Sequence, residues 1–131
     1  METSAALDLA SAVALTSSSA DGATKQLPAN CTALALELSY TRDAASSTGT
    51  PTVGLSVDCG AGMRQLAQMT GASAPLTLEA WSVRPASAAT IALVVEVPLP
   101  PGATRVLARY LDADGSHPGT LTLRATPRVG G

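Results

Sequence analysis

Between Thr90 and Arg128 the chain alternates apolar with small or polar residues three times over, with two breaks that no regular element can cross. Ile91, Leu93, Val95 and Val97 form the first set, Val106, Ala108 and Tyr110 the second, and Leu121, Leu123 and Ala125 the third. A period of two places each set on one face of a pleated strand. Pro98-Leu99-Pro100-Pro101-Gly102 separates the first two runs, and Asp114-Gly115-Ser116-His117-Pro118-Gly119 the last two. Proline lacks the amide donor and glycine loosens the dihedrals, so both breaks read as turns.

The same reading extends upstream. Across Cys31 to Thr41, Leu34, Leu36, Leu38 and Tyr40 alternate with Ala33, Ala35, Glu37 and Ser39, as in a strand buried on one side. Val53, Leu55 and Val57 make the next inward set. Asp58-Cys59-Gly60-Ala61-Gly62 then turns the chain so that Met63 to Thr70 returns antiparallel, with a helical turn over Met63–Met69 as the competing reading. Gly71 to Pro75 is a loop. Leu76 and Leu78 start a strand whose parity changes at Trp81 and Val83, which predicts a bulge near Glu79-Ala80 or a strand covered on both faces. Leu7, Leu9, Val13 and Leu15 fit a first strand with Ser11 as the odd inward position, against a short helix favoured by the alanines. The loop Arg42 to Pro51 holds no apolar residue larger than Ala and is expected to be exposed and mobile. In Ile91 to Val97 the second face, Ala92 and Val94, is apolar too and broken only by Glu96. That marks a central strand or one whose outer face meets a partner.

Runs at intervals of about 10 to 15 residues amount to roughly seven to eight strands. The expectation is an all-β, two-sheet antiparallel β-sandwich, jelly-roll or immunoglobulin-like, in one domain over residues 1–131. Residues 1–30 form an N-terminal segment that either folds back or reaches out as an arm.

Composition bounds the core and the function classes. Ala supplies 25 residues, Leu, Val and Ile together 27, Phe none, and Trp plus Tyr only three rings, so the core should be thin. Either neighbours in an assembly supply part of the stability or the composition is merely Ala-biased. Net charge is −2 with eight Lys plus Arg scattered singly, which gives no basic patch for nucleic acid. Leu7–Leu15 is too short to span a membrane and contains Asp8. Glu2 stands where a signal peptide would be basic, and no Lys or Arg precedes Lys25, so a product made and used without secretion is expected. Cys31 and Cys59 fit no metal or CxxC spacing; free thiols are expected in such a product, and a bridge stays open.

No residue set specifies a reaction, so no catalytic residue, cofactor or metal is expected and the chain reads as a non-enzyme. His117, the lone histidine, sits in a turn without the orienting acid of a catalytic arrangement. Asp112, Asp114 and Gly115 resemble the opening of a calcium loop, but the twelfth position is Leu123 rather than Glu. Glu37, Glu79 and Glu96 read as solvated strand positions that discourage wrong pairing. Tyr40, Trp81 and Tyr110 fit core packing better than a sugar platform. Gly60-Ala61-Gly62 lacks the Lys-Ser or Lys-Thr of a phosphate loop. Candidate partner contacts are Val94 and Glu96 on the outer face of their strand, with Asp112, Asp114 and His117 in the last turn.

The run Gly102-Ala103-Thr104-Arg105-Val106-Leu107-Ala108-Arg109, an Asp/Gly turn, and Pro118-Gly119-Thr120-Leu121-Thr122-Leu123 together resemble the C-terminal hairpin of small β-sandwich proteins in tailed-phage virions. Val53 to Asp58 with its Gly-bearing turn is similar to their preceding hairpin, although Met63 stands where an aromatic often follows. The resemblance covers about half the chain. It implies a bacteriophage virion structural protein, foremost a capsid decoration subunit, made in the host cytoplasm. Its partners would be the major capsid protein or tail and neck subunits, and it would act as a homo-oligomer, a trimer for instance. A carbohydrate- or receptor-binding sandwich using the loops Arg42–Pro51 and Asp112–Gly119 is the alternative.

Overall fold

The computed structural model describes residues 2–3, 6–70, 77–85, 88–112, 114 and 116–130, and these contain strands but no helix. In chain order they are β1 (Glu2–Thr3), β2 (Leu7–Ala14), β3 (Ala20–Asp21), β4 (Lys25–Gln26), β5 (Cys31–Thr41), β6 (Pro51–Asp58), β7 (Met63–Gln65), β8 (Ala67–Thr70), β9 (Thr77–Ala80), β10 (Ser82–Val83), β11 (Thr90–Pro98), β12 (Arg105–Asp112) and β13 (Thr120–Val129). Every pairing among them is antiparallel. One sheet runs β11-β5-β13, with β2 and β1 sharing the far edge of β13. The other is built on β12-β6, with β3 and β4 along β12 and β7 and β10 along β6. β8 and β9 form a separate hairpin.

Both sheets feed one core. Leu34, Leu36, Leu38 and Tyr40 of β5 and Leu121, Leu123 and Ala125 of β13 are buried with Val53, Leu55 and Val57 of β6 and Val106, Ala108 and Tyr110 of β12. The alternation in the sequence is thus the alternation in burial, which the pleat enforces. Among the described residues no buried side-chain nitrogen or oxygen lacks a hydrogen-bond partner.

Several expectations are corrected by the pairing. β12 and β13 do not form a C-terminal hairpin: β12 lies between β6 and β3/β4, while β13 lies between β5 and β2. The seven-residue connection between them crosses from one sheet to the other, and the connections β5–β6, β10–β11 and β11–β12 cross as well. Val53–Asp58 does continue into a hairpin, Ser56 to Asp58 pairing Gln65 to Met63. Gly60 and Gly62 turn it at φ 115° and 90°, a region open to glycine. The helical reading of Met63–Met69 fails, and the chain instead leaves β6 after Gln65 and enters the β8–β9 hairpin. The parity change near Trp81 is a change of partner rather than a bulge: Ala80 still pairs Ala67, whereas Ser82 already pairs Gly54. The Gly71–Pro75 loop and Leu76 lie outside the described residues.

The first strand is a strand, not a helix, but Ser11 is exposed instead of inward. Register slips occur where β2 meets Thr122, Leu123 and Arg124, and Ala12 sits there at φ 48° with its amide donated to Thr122 Oγ1 (3.1 Å). A residue inserted in the ladder turns its neighbour outward, so Leu9 and Ala10 are both buried and the phase resumes at Leu15. The segment then changes sheets. Leu15 donates its amide to Gly119 (2.9 Å), Thr16 accepts the amide of Asp112 (2.9 Å), and the chain continues along β12 as β3 and β4.

β11 is not a central strand. It pairs with β5 alone, from Thr90↔Thr41 to Pro98↔Ala33, and no described strand takes its other side.

Candidate functional site

The two buried carboxylates among the described residues, Asp112 and Asp58, stand at opposite ends of the β12–β6 ribbon. At one, Asp112 ends β12 at the fourth position of the inward set Val106, Ala108, Tyr110, and its residue is 1% exposed. Oδ1 accepts the amides of Thr50 (3.2 Å) and Asp114 (2.9 Å); Oδ2 accepts the amide of Gly119 (2.6 Å) and the Tyr40 hydroxyl (2.7 Å). Four donors from β5, the loop after it and the last turn converge on one carboxyl group, with no cationic partner among those contacts. Burial, followed by this hydrogen bond to Asp112, pushes the Tyr40 phenol well above its ordinary value.

Asp114 performs the same task one turn further out. It accepts the Ser46 hydroxyl (2.6 Å) and the amides of Ser116 (3.1 Å) and His117 (3.2 Å), and the Ser46 bond leads the effects that hold its carboxyl below the usual range. Ser46 in turn accepts the amide of Gly49 (2.8 Å). The two loops are therefore tied to each other and to the core. The 42–51 loop, expected to be free, has Gly49, Thr50 and Pro51 buried.

At the opposite end Asp58 closes β6. Its Oδ1 accepts the amides of Gly60 (2.8 Å) and Gly62 (3.2 Å), and its Oδ2 pairs with the Arg105 guanidinium. The Arg105 bond is the largest of the effects that hold this carboxyl below its ordinary value. Around it the surface is hollowed. A cavity of about 280 Å³ lies between Cys59, Arg64, Leu66 and Pro100, another of about 380 Å³ between Leu66, Trp81, Leu99 and Pro100, and a third of about 450 Å³ between Cys31, Leu99 and Pro101. Pro98, Pro100 and Pro101 have no amide to donate, which limits backbone pairing at the β11–β12 corner. Both thiols are free, Cys59 exposed and Cys31 buried, and burial pushes the Cys31 thiol up.

The five candidate contact residues fall into two groups. Val94 is 65% exposed, and the exposed Glu96 reaches across β5 to Arg128 (2.9 Å). His117 is exposed in its turn. Asp112 is buried with its oxygens on the donors named above, and the half-exposed Asp114 holds the Ser46 hydroxyl and two turn amides, so both organise the loops. Inward parity was the signal that Asp112 belongs to the core. Tyr40, Tyr110 and Trp81 are all buried and form no exposed platform. Glu37 and Glu96 lie outward on the first sheet. Among the described residues no three His, Cys, Asp or Glu side chains are grouped to hold a metal ion, and no helix is long and apolar enough to cross a membrane.

Compared with known proteins, the chain matches no family model, no curated protein and no solved structure.

Proposed function

We propose that this chain is a non-enzymatic virion structural protein of a tailed bacteriophage, a capsid decoration subunit that binds the shell and bridges its neighbouring subunits. The observation that carries the reading is the strand order. With short strands that share an edge counted as one position, and the separate β8–β9 hairpin set aside, the described residues give eight: β1/β2, β3/β4, β5, β6, β7/β10, β11, β12 and β13. Their arrangement, β1/β2-β13-β5-β11 against β3/β4-β12-β6-β7/β10, supports reading the fold as a jelly roll in preference to an immunoglobulin-like sandwich. Double-sheet jelly rolls serve as viral capsid and lectin domains. Fold analogy does not by itself assign a role; the surface supplies the rest. The loops at one end are tied by hydrogen bonds, and among the described residues the outer edge of β11 is unpaired. These suit adhesion to other proteins, here the major capsid protein or the tail and neck subunits, within the virion. The lectin-like role has less behind it, because the three rings that would stack on a sugar are buried.

Shells assembled from the capsid protein encoded beside this chain should bind it in fixed stoichiometry, sediment with it and resist heat better for it, by linkage. Protein that stays in the supernatant with shells in excess overturns the assignment.

A further inference from the structure

We propose that β11 pairs with β11 of a second copy across a two-fold axis at Val94, so that the β5-containing sheets of the two copies become one. The backbone sets the first condition. Arg42 donates its amide to Ala89 (2.9 Å) and Leu99 donates to Thr32 (3.0 Å), one bond at each end of the β5–β11 register. In an antiparallel ladder the bonded pairs alternate. The odd residues of β11 are therefore bonded to β5, and Thr90, Ala92, Val94 and Glu96 turn their amides and carbonyls to the open side. Among the described residues nothing pairs with them.

The side chains set the second. Exposed edges are ordinarily blunted by lysine, proline, a bulge or an inward charge. From Ile91 to Val95 this edge has none of these. Among the described residues Val94 is the large hydrophobic residue left exposed, and Leu93 and Val95, which point toward the core, are only half-buried. The edge is short of neighbours on both faces.

The third condition selects the occupant. About Val94 the strand is self-complementary. An axis there sets Val94 against its own mate, Ala92 against Glu96, and Thr90 against Pro98, where proline's missing amide costs one bond at each end. On the core side Leu93 meets Val95, and Ile91 meets Val97. Moving the axis to Glu96 would oppose two carboxylates, which is destabilising; moving it to Ala92 would run the pairing past Thr90, where β11 ends. Such an isologous contact generates a two-fold, not the three-fold of a trimer.

Sedimentation should show a mass twice the 13.1 kDa of the chain, falling to one copy on dilution. Val94→Cys in a Cys59→Ser background should cross-link under mild oxidation, since bonded antiparallel partners lie about 5.5 Å apart at Cα, within disulfide range. Val94→Lys and, separately, Ala92→Pro should halve the mass while keeping the β circular dichroism; Ala92 directs its amide away from β5, so the fold does not use that bond. A wild-type chain that is monomeric up to millimolar concentration overturns the pairing. So does an oligomer that survives both substitutions and yields no Val94→Cys cross-link. The pairing stands apart from the decoration reading: shell binding by the monomeric Val94→Lys protein would leave that reading intact, whereas a dimer that ignores shells would overturn it alone.

Discussion

Asp58 and Asp112 close the same antiparallel ribbon from opposite ends, since β6 runs from Pro51 beside Asp112 to Asp58 beside Arg105. Each ends its strand and accepts amides of the turn that follows, a habit of Asp at strand exits. They differ in what completes the set. Asp58 is finished by a half-exposed guanidinium, whereas the contacts described on Asp112 are dipoles, three amides and a phenol, three of these four bonds buried. A charge partner tolerates solvent and an adjustable geometry. Four converging dipoles require that every donor be held in place, which the tied loops do at the Asp112 end. A polar residue can thus fix the shape of an antiparallel all-β fold where large apolar side chains are few.

The comparison breaks most severely at Asp112→Ala. Buried donors from two loops and β5 lose their acceptor at once, and with about 1–3 kcal/mol for a buried group left unmade the loss in urea unfolding should reach about 3–5 kcal/mol. Tyr40→Phe, which removes one of the four, should cost about 1 kcal/mol. Next comes Gly119→Ala. A Cβ there would overlap the Thr41 carbonyl oxygen and come within 2.8 Å of the Tyr40 ring, so overpacking of about 2 kcal/mol is expected.

At the other end the effect is smaller and depends on pH. The folded Asp58 carboxyl sits below its ordinary value of 3.8, so the unfolded chain takes up the proton first as pH falls. Its contribution is whole above that value and drains away as pH drops through the lower folded pKa. Asp58→Asn should therefore lower Tm at neutral pH and flatten its acid limb, in part only, because Asp21 and Asp114 shift the same way. A mutant whose Tm falls in parallel with wild type at every pH would remove Arg105 from the account. Smallest is Ala12→Gly, which relieves an alanine held at φ 48° and should change stability by no more than about 1 kcal/mol, toward higher Tm.

How much of this was legible follows from what a period of two can say. Alternation names the face of a residue, and it did so for Leu34 to Tyr40, Val53 to Val57, Val106 to Tyr110 and Leu121 to Ala125. It does not name the neighbouring strand. Val106–Tyr110 and Leu121–Ala125 look like two arms of a hairpin, yet they lie in different sheets because the break between them was free to cross. Asp112 was readable in principle, as the next inward position after Tyr110, but its turn-forming neighbours drew the eye to a loop. The bulge at Ala12 had no such signal, since alanine is the residue least expected at positive φ. Val94 and Glu96 were placed correctly on the outer face, while the edge position of β11 needed the sheet order.

β13 lies between β5 and β2, and its contact with β2 joins Ala12 to Thr122, residues 110 apart. Until β13 leaves the ribosome, β2 has no ladder to join and one margin of β5 stays bare, so the apolar faces of both wait in solvent for most of synthesis. Folding is then governed by loop closure over long sequence separations, which is slow and exposes the nascent chain to chaperones and to aggregation. Yield in a cell should follow temperature and chaperone supply more closely than it follows the stability of the finished fold.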